Sequence, residues 1–417
     1  MYNLHLSAEQ LEIRDTVRDF VTQEVKPIAL KPDRLEAFER PLLVDILDMA
    51  SQIGLRTLAL SENNGGVGAD GLTSCIVTEE LAVGDPDIAA TLAETSRLGH
   101  LLFDRWMTSE QRERLLPPFL SDDRYHLAVA NHEPDADDML GVNYHRSSET
   151  GGGVKAAAVR AVGGDWVING AKDCVANAPI AKLFAVEVAT PGKPGTSVLL
   201  VPHDAPGLTV RAHRGRVWRH GPCGELLFKD CRVPAGNLLG QEGQNSLAGG
   251  AEADGRGLPL LQALNIGIGR AAYEAALDYA QLRVQGGRRI VEHQAIGTKL
   301  AEVAIKLEAA RAIVWQAAWA SDHPDAVADR SLPDLPLQTI AKVFTSDMVF
   351  AATKDAAEVF GAMGVMRDMP LQKYVHDARV CLHSGTGNAE AKLRLAEVLA
   401  GYRRPAAAPQ YMAAAGA

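Results

Sequence analysis

The stretch VFGAMGVMRDMPLQKYVHDARVCLHSGTGNAE, residues 359–390, connects two segments whose apolar residues recur at helical spacing. Two longer segments upstream show the same period. Several long helical segments joined in series are typical of an antiparallel helix bundle. We therefore predict a C-terminal four-helix bundle over residues 239–403, followed by a mobile alanine- and proline-rich tail at 404–417. The four helical segments are 258–284, 290–320, 339–360 and 389–400.

The middle of the chain has a different pattern, in which short runs of β-branched residues alternate with glycine, proline and aspartate turns. Runs such as HLAVA at 126–130 and TSVLLVP at 196–202 have the length of single strands. Short strands at regular spacing are typical of small all-β domains. We predict an antiparallel β-barrel or sandwich over residues 124–238.

The N-terminal part again has a helical pattern. Ser7 with Gln10, and Thr108 with Gln111, have the spacing of capping boxes, which mark the beginnings of helices. Residues 1–123 are therefore predicted to form a helical domain. The predicted fold class is α+β with several domains: helices first, a β-domain next, and a helix bundle last.

The charges and the cysteines limit the class of protein. A net charge of -10, from 42 basic and 52 acidic residues, gives no reason to expect nucleic acid or an anionic membrane as a partner. The five cysteines form no CxxC pair, which argues against a disulfide framework or a zinc ribbon and favours a reducing compartment. The N-terminus lacks the features of a secretory signal, and no apolar run is long enough to span a membrane. These features predict a soluble cytoplasmic protein.

One glycine motif looks like a dinucleotide-binding fingerprint. Residues 66–71, GVGADG, match G-x-G-x-x-G and follow an apolar run. A Rossmann unit, however, needs a second strand after the helix, with an acidic residue at its end. The segment that follows, DIAATLAETSRLG at 87–99, has a helical pattern instead. We therefore interpret 66–71 as a surface turn and predict no nicotinamide site.

Several segments, in the same order along most of the chain, resemble motifs of the acyl-CoA dehydrogenase family. WVINGAKDCVANA at 166–178 is similar to the family's hairpin G-x-K-x-W-I-T-N-A, and FKDCRVP at 228–234 to its strand F-x-D-V-x-V-P. Residues 359–390 resemble the family's G-G-x-G segment and the Y-E-G-T that follows it. Further matching segments are RDTVRDFVTQEVKPIA at 14–29, LSENNGGVGADG at 60–71, NHEPDADD at 131–138 and RVQGGRRIVEHQ at 283–294.

The resemblance implies a cofactor, a substrate class and partners. Family members bind FAD between the β-domain and the bundle, act on acyl-CoA thioesters and usually form tetramers. A glutamate removes the acyl α-proton while the β-hydrogen leaves as hydride to flavin N5, and such a positioned base contributes roughly 10²–10⁴-fold to the rate. For this chain we expect FAD, an acyl-CoA substrate, and a homotetramer or a heterotetramer with a related subunit. An electron-transfer flavoprotein is a further expected partner.

The resemblance also assigns residues to the flavin site. Arg283 matches an arginine at the flavin pyrophosphate, although a surface arginine at a helix end is the alternative. Gly361 matches a glycine that lets the cofactor approach the backbone, and Asn388 matches a polar position that could equally cap the last helix. Cys174 and Ala176 replace the indole and the hydroxyl of W-I-T. The predicted cofactor-binding residues are Arg283, Gln285, Gly361, Thr386, Asn388, Asn131, His132, Asp138, Cys174 and Ala176.

The family's catalytic glutamate is absent at both of its known positions. Y-E-G-T is replaced by HSGT at 383–386, and the serine hydroxyl of Ser384 has no accessible anionic form near neutral pH. The second glutamate position, at the start of the first bundle helix, falls on Gly257 and Leu258. Three substitute bases are conceivable, each with a structural alternative. They are His383, which could fill a tyrosine's space, Glu94, which could lie on a solvated helix face, and His132, which could contact the cofactor.

Three functions are consistent with these residues. The first is FAD-dependent α,β-desaturation of an acyl-CoA with a relocated base. The second is an elimination or desulfination on an acyl-CoA that binds flavin but involves no net oxidation. The third is a non-catalytic subunit of a heteromeric acyl-CoA dehydrogenase.

Overall fold

The computed structural model describes residues 5–35, 40–134, 154–193, 195–213, 219–245, 255–323, 336–385 and 387–401. In these ranges, helices at both ends of the chain flank a central sheet, which confirms the predicted α+β architecture. No helix in the described ranges is long and apolar enough to cross a membrane. The predicted tail at 404–417 lies outside the described residues, and the cytoplasmic location stays a prediction.

The N-terminal helices begin where the predicted caps place them. Ser7 and Gln10 bond each other's backbone reciprocally before the first helix, and Thr108 and Gln111 do the same before the sixth. Both predicted capping boxes are therefore confirmed. The helices are α1 (Ala8–Phe20), α2 (Lys26–Ala29), α3 (Val44–Gln52), α4 (Gly71–Gly84), α5 (Pro86–Gly99) and α6 (Ser109–Ser121).

The glycine motif at 66–71 forms a tight turn between helical elements. A short 3-10 turn at Leu55–Thr57 precedes it, α4 follows, and α5 comes next in place of a second strand. A Cβ on Gly66 would lie 2.2 Å from the Leu60 carbonyl oxygen, so only glycine fits there. The close approach of two backbone segments, rather than a phosphate, thus explains this glycine.

The middle of the chain forms one sheet, whose order is β6-β7-β3-β2-β4-β5-β8 with β1 paired to β4. Most neighbours are antiparallel as predicted, but β1 runs parallel to β4, so the sheet is mixed. The cause is topological, because β1 enters from α6 and reaches β4 only after a long connection that contains β2 and β3. The strands are β1 (His126–Ala130), β2 (Ala157–Arg160), β3 (Trp166–Ala176), β4 (Ala181–Ala189), β5 (Thr196–Pro202), β6 (Leu208–Ala212), β7 (Cys223–Val233) and β8 (Leu238–Leu239).

Within the described residues, the C-terminal part is a helix bundle that contains one helix more than the sequence predicts. A two-stranded arm interrupts the chain after the first bundle helix, and the additional helix lies within residues 359–390. The elements are α7 (Gly257–Leu282), β9 (Val284–Gln285), β10 (Arg288–Arg289), α8 (Gln294–Asp322), α9 (Leu337–Val359), α10 (Leu371–Cys381) and α11 (Asn388–Leu399).

Buried ion pairs fix α4 of the N-terminal part against the bundle. Glu79 pairs with Arg270 at 2.8 Å and with Arg311 at 2.9 Å, and the neighbouring Glu80 pairs with Arg18 at 2.7 Å. Pairing of this kind compensates the cost of removing carboxylates from water. The N-terminal helices and the bundle also share one apolar core. The relative position of α4, α5 and α7 is thereby fixed.

Candidate active site

A narrow, mainly apolar crevice opens between α4, α5 and the start of α7. Its apolar lining includes Leu58, Leu81, Leu92 and Leu260. Two arginines also border it, and both are ion-paired, Arg97 with Glu94 at 3.0 Å and Arg256 with Asp322 at 2.6 Å. Because these cations are already compensated, the crevice favours an apolar group over a charged one. Its volume is only about 10 Å³, roughly the space of one water molecule, so an acyl chain can enter only if the lining side chains move apart.

The turn formed by residues 382–385 and 387–388, here called the serine turn, lies against the first residues of α7. Gly385 has a φ of +66°, and a Cβ built on it would lie 3.6 Å from side-chain carbons of both Leu258 and Leu261. Ser384 is 1% exposed, and its hydroxyl donates to the carbonyl oxygen of Val380 at 3.1 Å. Gly385, the neighbour of Ser384, is therefore close to Leu258. Ser384 and Leu258 are positions at which the resemblance predicts that the usual glutamate is missing, and neither has a carboxylate.

A buried lysine holds the serine turn in place. Lys342 of α9 donates to the Leu382 carbonyl oxygen at 3.2 Å and to Oδ1 of Asn388. Asn388 in turn donates to Ser346 Oγ at 2.9 Å and to Asp347 Oδ1 at 2.8 Å. The amide of Asn388 is thus engaged within the bundle, and its contact with a cofactor stays a prediction. Burial lowers the pKa of Lys342 to about 8.

The depressed pKa of Lys342 predicts a pH dependence of stability. The folded lysine loses its proton near pH 8 and the unfolded one near pH 10.4, so between these values the unfolded chain binds more protons. The free energy of unfolding should therefore rise across this window, relative to Lys342→Met, by up to about 3 kcal/mol. Urea denaturation of both proteins at several pH values measures the difference.

Comparison with Lys342→Met removes the contribution of other groups. Burial also raises the pKa of cysteines such as Cys381, which lowers stability at high pH. Both proteins share these thiols, so their effect cancels in the difference. A difference that stays constant from about pH 7 to pH 10 would contradict the assignment.

The structure separates the three predicted substitute bases by their surroundings. Arg97 donates to both carboxylate oxygens of Glu94 at 3.0 Å, so Glu94 can accept a proton only by breaking that pair. His132 is half-buried at the edge of the β-domain. His383, next to Ser384 in the serine turn, has an exposed side chain. Of the three, His383 is the most available proton acceptor beside the turn.

A polar edge of the β-domain brings together four of the predicted cofactor residues. The backbone N–H of Asp173 donates to the His132 carbonyl oxygen at 3.0 Å, which places Asn131 and His132 beside the end of β3. Cys174 and Ala176 lie on that end of β3. Burial raises the pKa of the Cys174 thiol to about 11, and the charge of Asp173 adds to the shift.

An asparagine fixes this polar edge against α5. The side-chain amide of Asn177 donates to the Thr91 carbonyl oxygen and to Thr95 Oγ1, both at 3.2 Å. It also donates to the Leu127 carbonyl oxygen of β1 at 3.3 Å. Because α5 lines the crevice as well, the polar edge and the crevice are held by the same helix.

Buried charges connect the polar edge to α10, the helix that leads into the serine turn. Arg219 donates to the Cys174 carbonyl oxygen at 3.0 Å, and Nε2 of the adjacent His220 lies 3.0 Å from the Asp377 carbonyl oxygen. The Asp377 carboxylate pairs with Arg40 at 2.7 Å. These residues carry no motif that the sequence alone would identify, because they are distant along the chain.

Three other predicted cofactor residues lie at the other end of the bundle. Arg283 and Gln285 follow α7 on the exposed β9–β10 arm. Tyr279 stacks on Phe360 at 4.2 Å, which places Gly361 at the same end. α7 has 26 residues, so this end lies roughly 35 Å along the helix axis from the serine turn. Asp138 and Thr386 lie outside the described residues.

Family models account for most of the chain. The N-terminal, middle and C-terminal domains of acyl-CoA dehydrogenase match residues 7–123, 146–231 and 257–397. The mitochondrial isobutyryl-CoA dehydrogenase of Dictyostelium discoideum is 30% identical over 398 residues, which cover 94% of this chain and 88% of that protein. The chain belongs to the acyl-CoA dehydrogenase family. The resemblance seen in the sequence is thereby confirmed.

Solved structures show that this acyl-CoA dehydrogenase family member has the family's fold. Butyryl-CoA dehydrogenase from Megasphaera elsdenii aligns with a TM-score of 0.80 and 24% identity, over 96% of this chain and all of that chain. PigA with FAD and proline aligns with a TM-score of 0.78 and 22% identity, over 96% of this chain and 100% of that one. At these identities the comparison concerns the fold alone.

Proposed function

We propose that this family member is an FAD-dependent oxidoreductase that introduces a double bond between the α and β carbons of an acyl-CoA thioester. The observation that carries the proposal is the apolar crevice between α4, α5 and α7. Leu260 lines this crevice, and its neighbours Leu258 and Leu261 contact the serine turn. The crevice is only about 10 Å³, so an acyl chain would have to move its lining side chains apart, and its first carbons would then lie near the serine turn.

Two separate groups of residues in this chain are suited to contact a flavin. The backbone at Gly361, with a φ of +56° and no atom within 4 Å of a Cβ position, is open to a close ligand. Arg283 offers a guanidinium at the same end of the bundle, suited to a phosphate. His132 and Cys174 border the polar edge at the other end. Within one chain these two groups lie at opposite ends of the bundle. We therefore propose that Arg283 and Gly361 bind the flavin of a neighbouring subunit in a homotetramer or a heterotetramer.

His383 is the proposed base. Its exposed imidazole lies in the serine turn, and a neutral imidazole can take the acyl α-proton near neutral pH. Bound FAD would accept the β-hydrogen with its electron pair, which leaves the double bond in the acyl group. Lys342 holds the turn from within the bundle and thereby positions His383. An electron-transfer flavoprotein is the proposed acceptor of the two electrons.

Anaerobic titration of the purified protein with a panel of acyl-CoA thioesters tests this function. The protein should be yellow, and its flavin absorbance should bleach as the matching enoyl-CoA forms, because hydride transfer reduces the flavin. Alkyl chains should be preferred to acyl groups with a terminal charge, since the crevice is apolar and its arginines are paired.

Two outcomes would replace the proposal by the other functions. Consumption of acyl-CoA while the flavin stays oxidised would indicate elimination without net oxidation. A colourless protein that gains flavin only on coexpression with a related subunit would indicate a non-catalytic partner. Both alternatives are suggested by the same observation, which is that neither Ser384 nor Leu258 has a carboxylate.

A further inference from the structure

Three side chains at the polar edge offer metal-ligand atoms that lie close together. A carboxylate oxygen of Asp173, Sγ of Cys174 and a ring nitrogen of His213 all lie within 4.8 Å of one another. We propose that they form a binding site for a divalent ion of the zinc class. The proposal does not rest on the proposed dehydrogenation, although Cys174 is also one of the residues predicted to border the flavin.

The backbone of β3 is distorted at the point where two of these ligands lie. Pairing of β3 with β7 is interrupted between Lys172 and Val175, and Cys174 has a φ of +51°. A non-glycine residue in the left-handed region is uncommon, and bulges next to functional sites redirect side chains that regular pairing would point elsewhere. Here the bulge brings the side chains of Asp173 and Cys174 to the same side as His213.

The third ligand is held in place from the neighbouring strands. The backbone N–H of His213 donates to the Cys223 carbonyl oxygen at 3.0 Å, just after β6 ends. Its Nε2 lies 2.7 Å from Asp173 Oδ1, which also accepts from the Cys174 backbone N–H. The fourth position of a tetrahedral centre is then open to water.

The donor types identify the class of ion. Thiolate and imidazole together select zinc-like ions over magnesium or calcium, which prefer oxygen ligands. One thiolate, one carboxylate and one divalent cation are together neutral, so the site needs no further counter-charge. His213 and Asp173 are 30% and 28% exposed, so an ion can enter from solvent.

Cobalt titration tests the site directly. Tag-free full-length protein, freed of metal with a chelator and kept under anaerobic reducing conditions, is titrated with Co²⁺. We expect one equivalent to bind and to produce a thiolate-to-cobalt charge-transfer band together with the strong visible bands of a four-coordinate ion, and Zn²⁺ to displace it. Cys174→Ser should remove the charge-transfer band. His213→Ala should weaken binding by at least about 100-fold, the upper range for loss of an outer-shell partner.

A matched control variant is available on the same sheet. Cys231→Ala removes a thiol of β7 that is buried in the apolar core of the β-domain, so it should leave the cobalt spectrum unchanged. Absence of the bands in the parent protein, or bands that persist at full affinity in His213→Ala, would overturn the proposal. Because His213 is partly exposed, that variant tests the site even if Cys174→Ser does not fold. The titration needs neither acyl-CoA nor flavin reduction, so its result is separate from that of the proposed function.

Discussion

Replacing Asp377 with alanine is expected to lower the free energy of unfolding by about 3–5 kcal/mol. The Asp377 carboxylate is fully buried on α10 and pairs with Arg40 at 2.7 Å and with Lys373 at 3.0 Å. Both cationic side chains are only 1% exposed, so the substitution leaves Lys373 and Arg40 buried without this carboxylate, while Arg40 keeps the more distant Asp87 at 4.0 Å. Urea denaturation at neutral pH, followed by circular dichroism, measures the loss.

A surface ion pair of the same bundle gives the matched control. Glu358, which is 65% exposed, pairs with Lys299, and Glu358→Ala should change the free energy of unfolding by no more than about 1 kcal/mol. The prediction for Asp377→Ala would be wrong if this variant lost no more free energy of unfolding than Glu358→Ala does. Asp377→Asn keeps the volume of the side chain and separates the loss of charge from the loss of packing.

The pH dependence of this ion cluster has a defined sign. Burial alone would raise the pKa of Asp377, but Lys373 and Arg40 outweigh it and hold the pKa well below its ordinary value. The stabilisation is therefore fully present above the unfolded pKa, near 3.9, and is lost only as the pH falls through the lower folded value. The difference in stability between the parent protein and Asp377→Asn should accordingly stay constant from about pH 7 to pH 5 and decrease only in stronger acid.

The helices of the bundle show which parts of the fold the sequence could predict. α7, α8 and α9 carry long apolar periods and were predicted from them. α10 escaped prediction because its buried positions include Lys373 and Asp377, whose burial depends on partners such as Arg40 far along the chain. The parallel pairing of β1 with β4 was equally inaccessible, since alternation of residue types does not report strand direction.

In the candidate site, too, the sequence could predict features that local motifs record but not contacts between distant parts of the chain. Ser384 and Leu258 were predicted from local motifs to lack the glutamate, and the structure adds that Gly385, the neighbour of Ser384, lies close to Leu258. The role of Lys342 in holding the serine turn requires contacts across three helices, which no motif records. The approach of His213 to Asp173 depends on a bulge in β3, and a bulge leaves no signal in residue types alone.

His383→Ala is expected to lower the rate of flavin reduction by about 10²–10⁴-fold, with little change in the acyl-CoA concentration for half-saturation. The imidazole would act only in the proton-transfer step, so substrate binding in the crevice stays intact. Glu94→Gln serves as the control, because Glu94 is already engaged by Arg97 and its loss should leave the rate within a few-fold. A full rate in His383→Ala together with a lost rate in Glu94→Gln would instead assign the base to Glu94.

Ser384→Glu in the His383→Ala background should restore flavin reduction by at least about 10²-fold. Gly385, the neighbour of residue 384, lies close to Leu258 at the start of α7, so we expect a carboxylate at 384 to reach an acyl group held beside the serine turn. Ser384→Gln has nearly the same shape but no basic oxygen, and it should restore nothing. Because residue 384 is buried, the new carboxylate should also cost stability, which the urea midpoint would reveal. If the double variant folds, binds flavin and still shows no gain over the glutamine control, the acyl thioester does not reach this turn, and the crevice between α4, α5 and α7 is not its binding site.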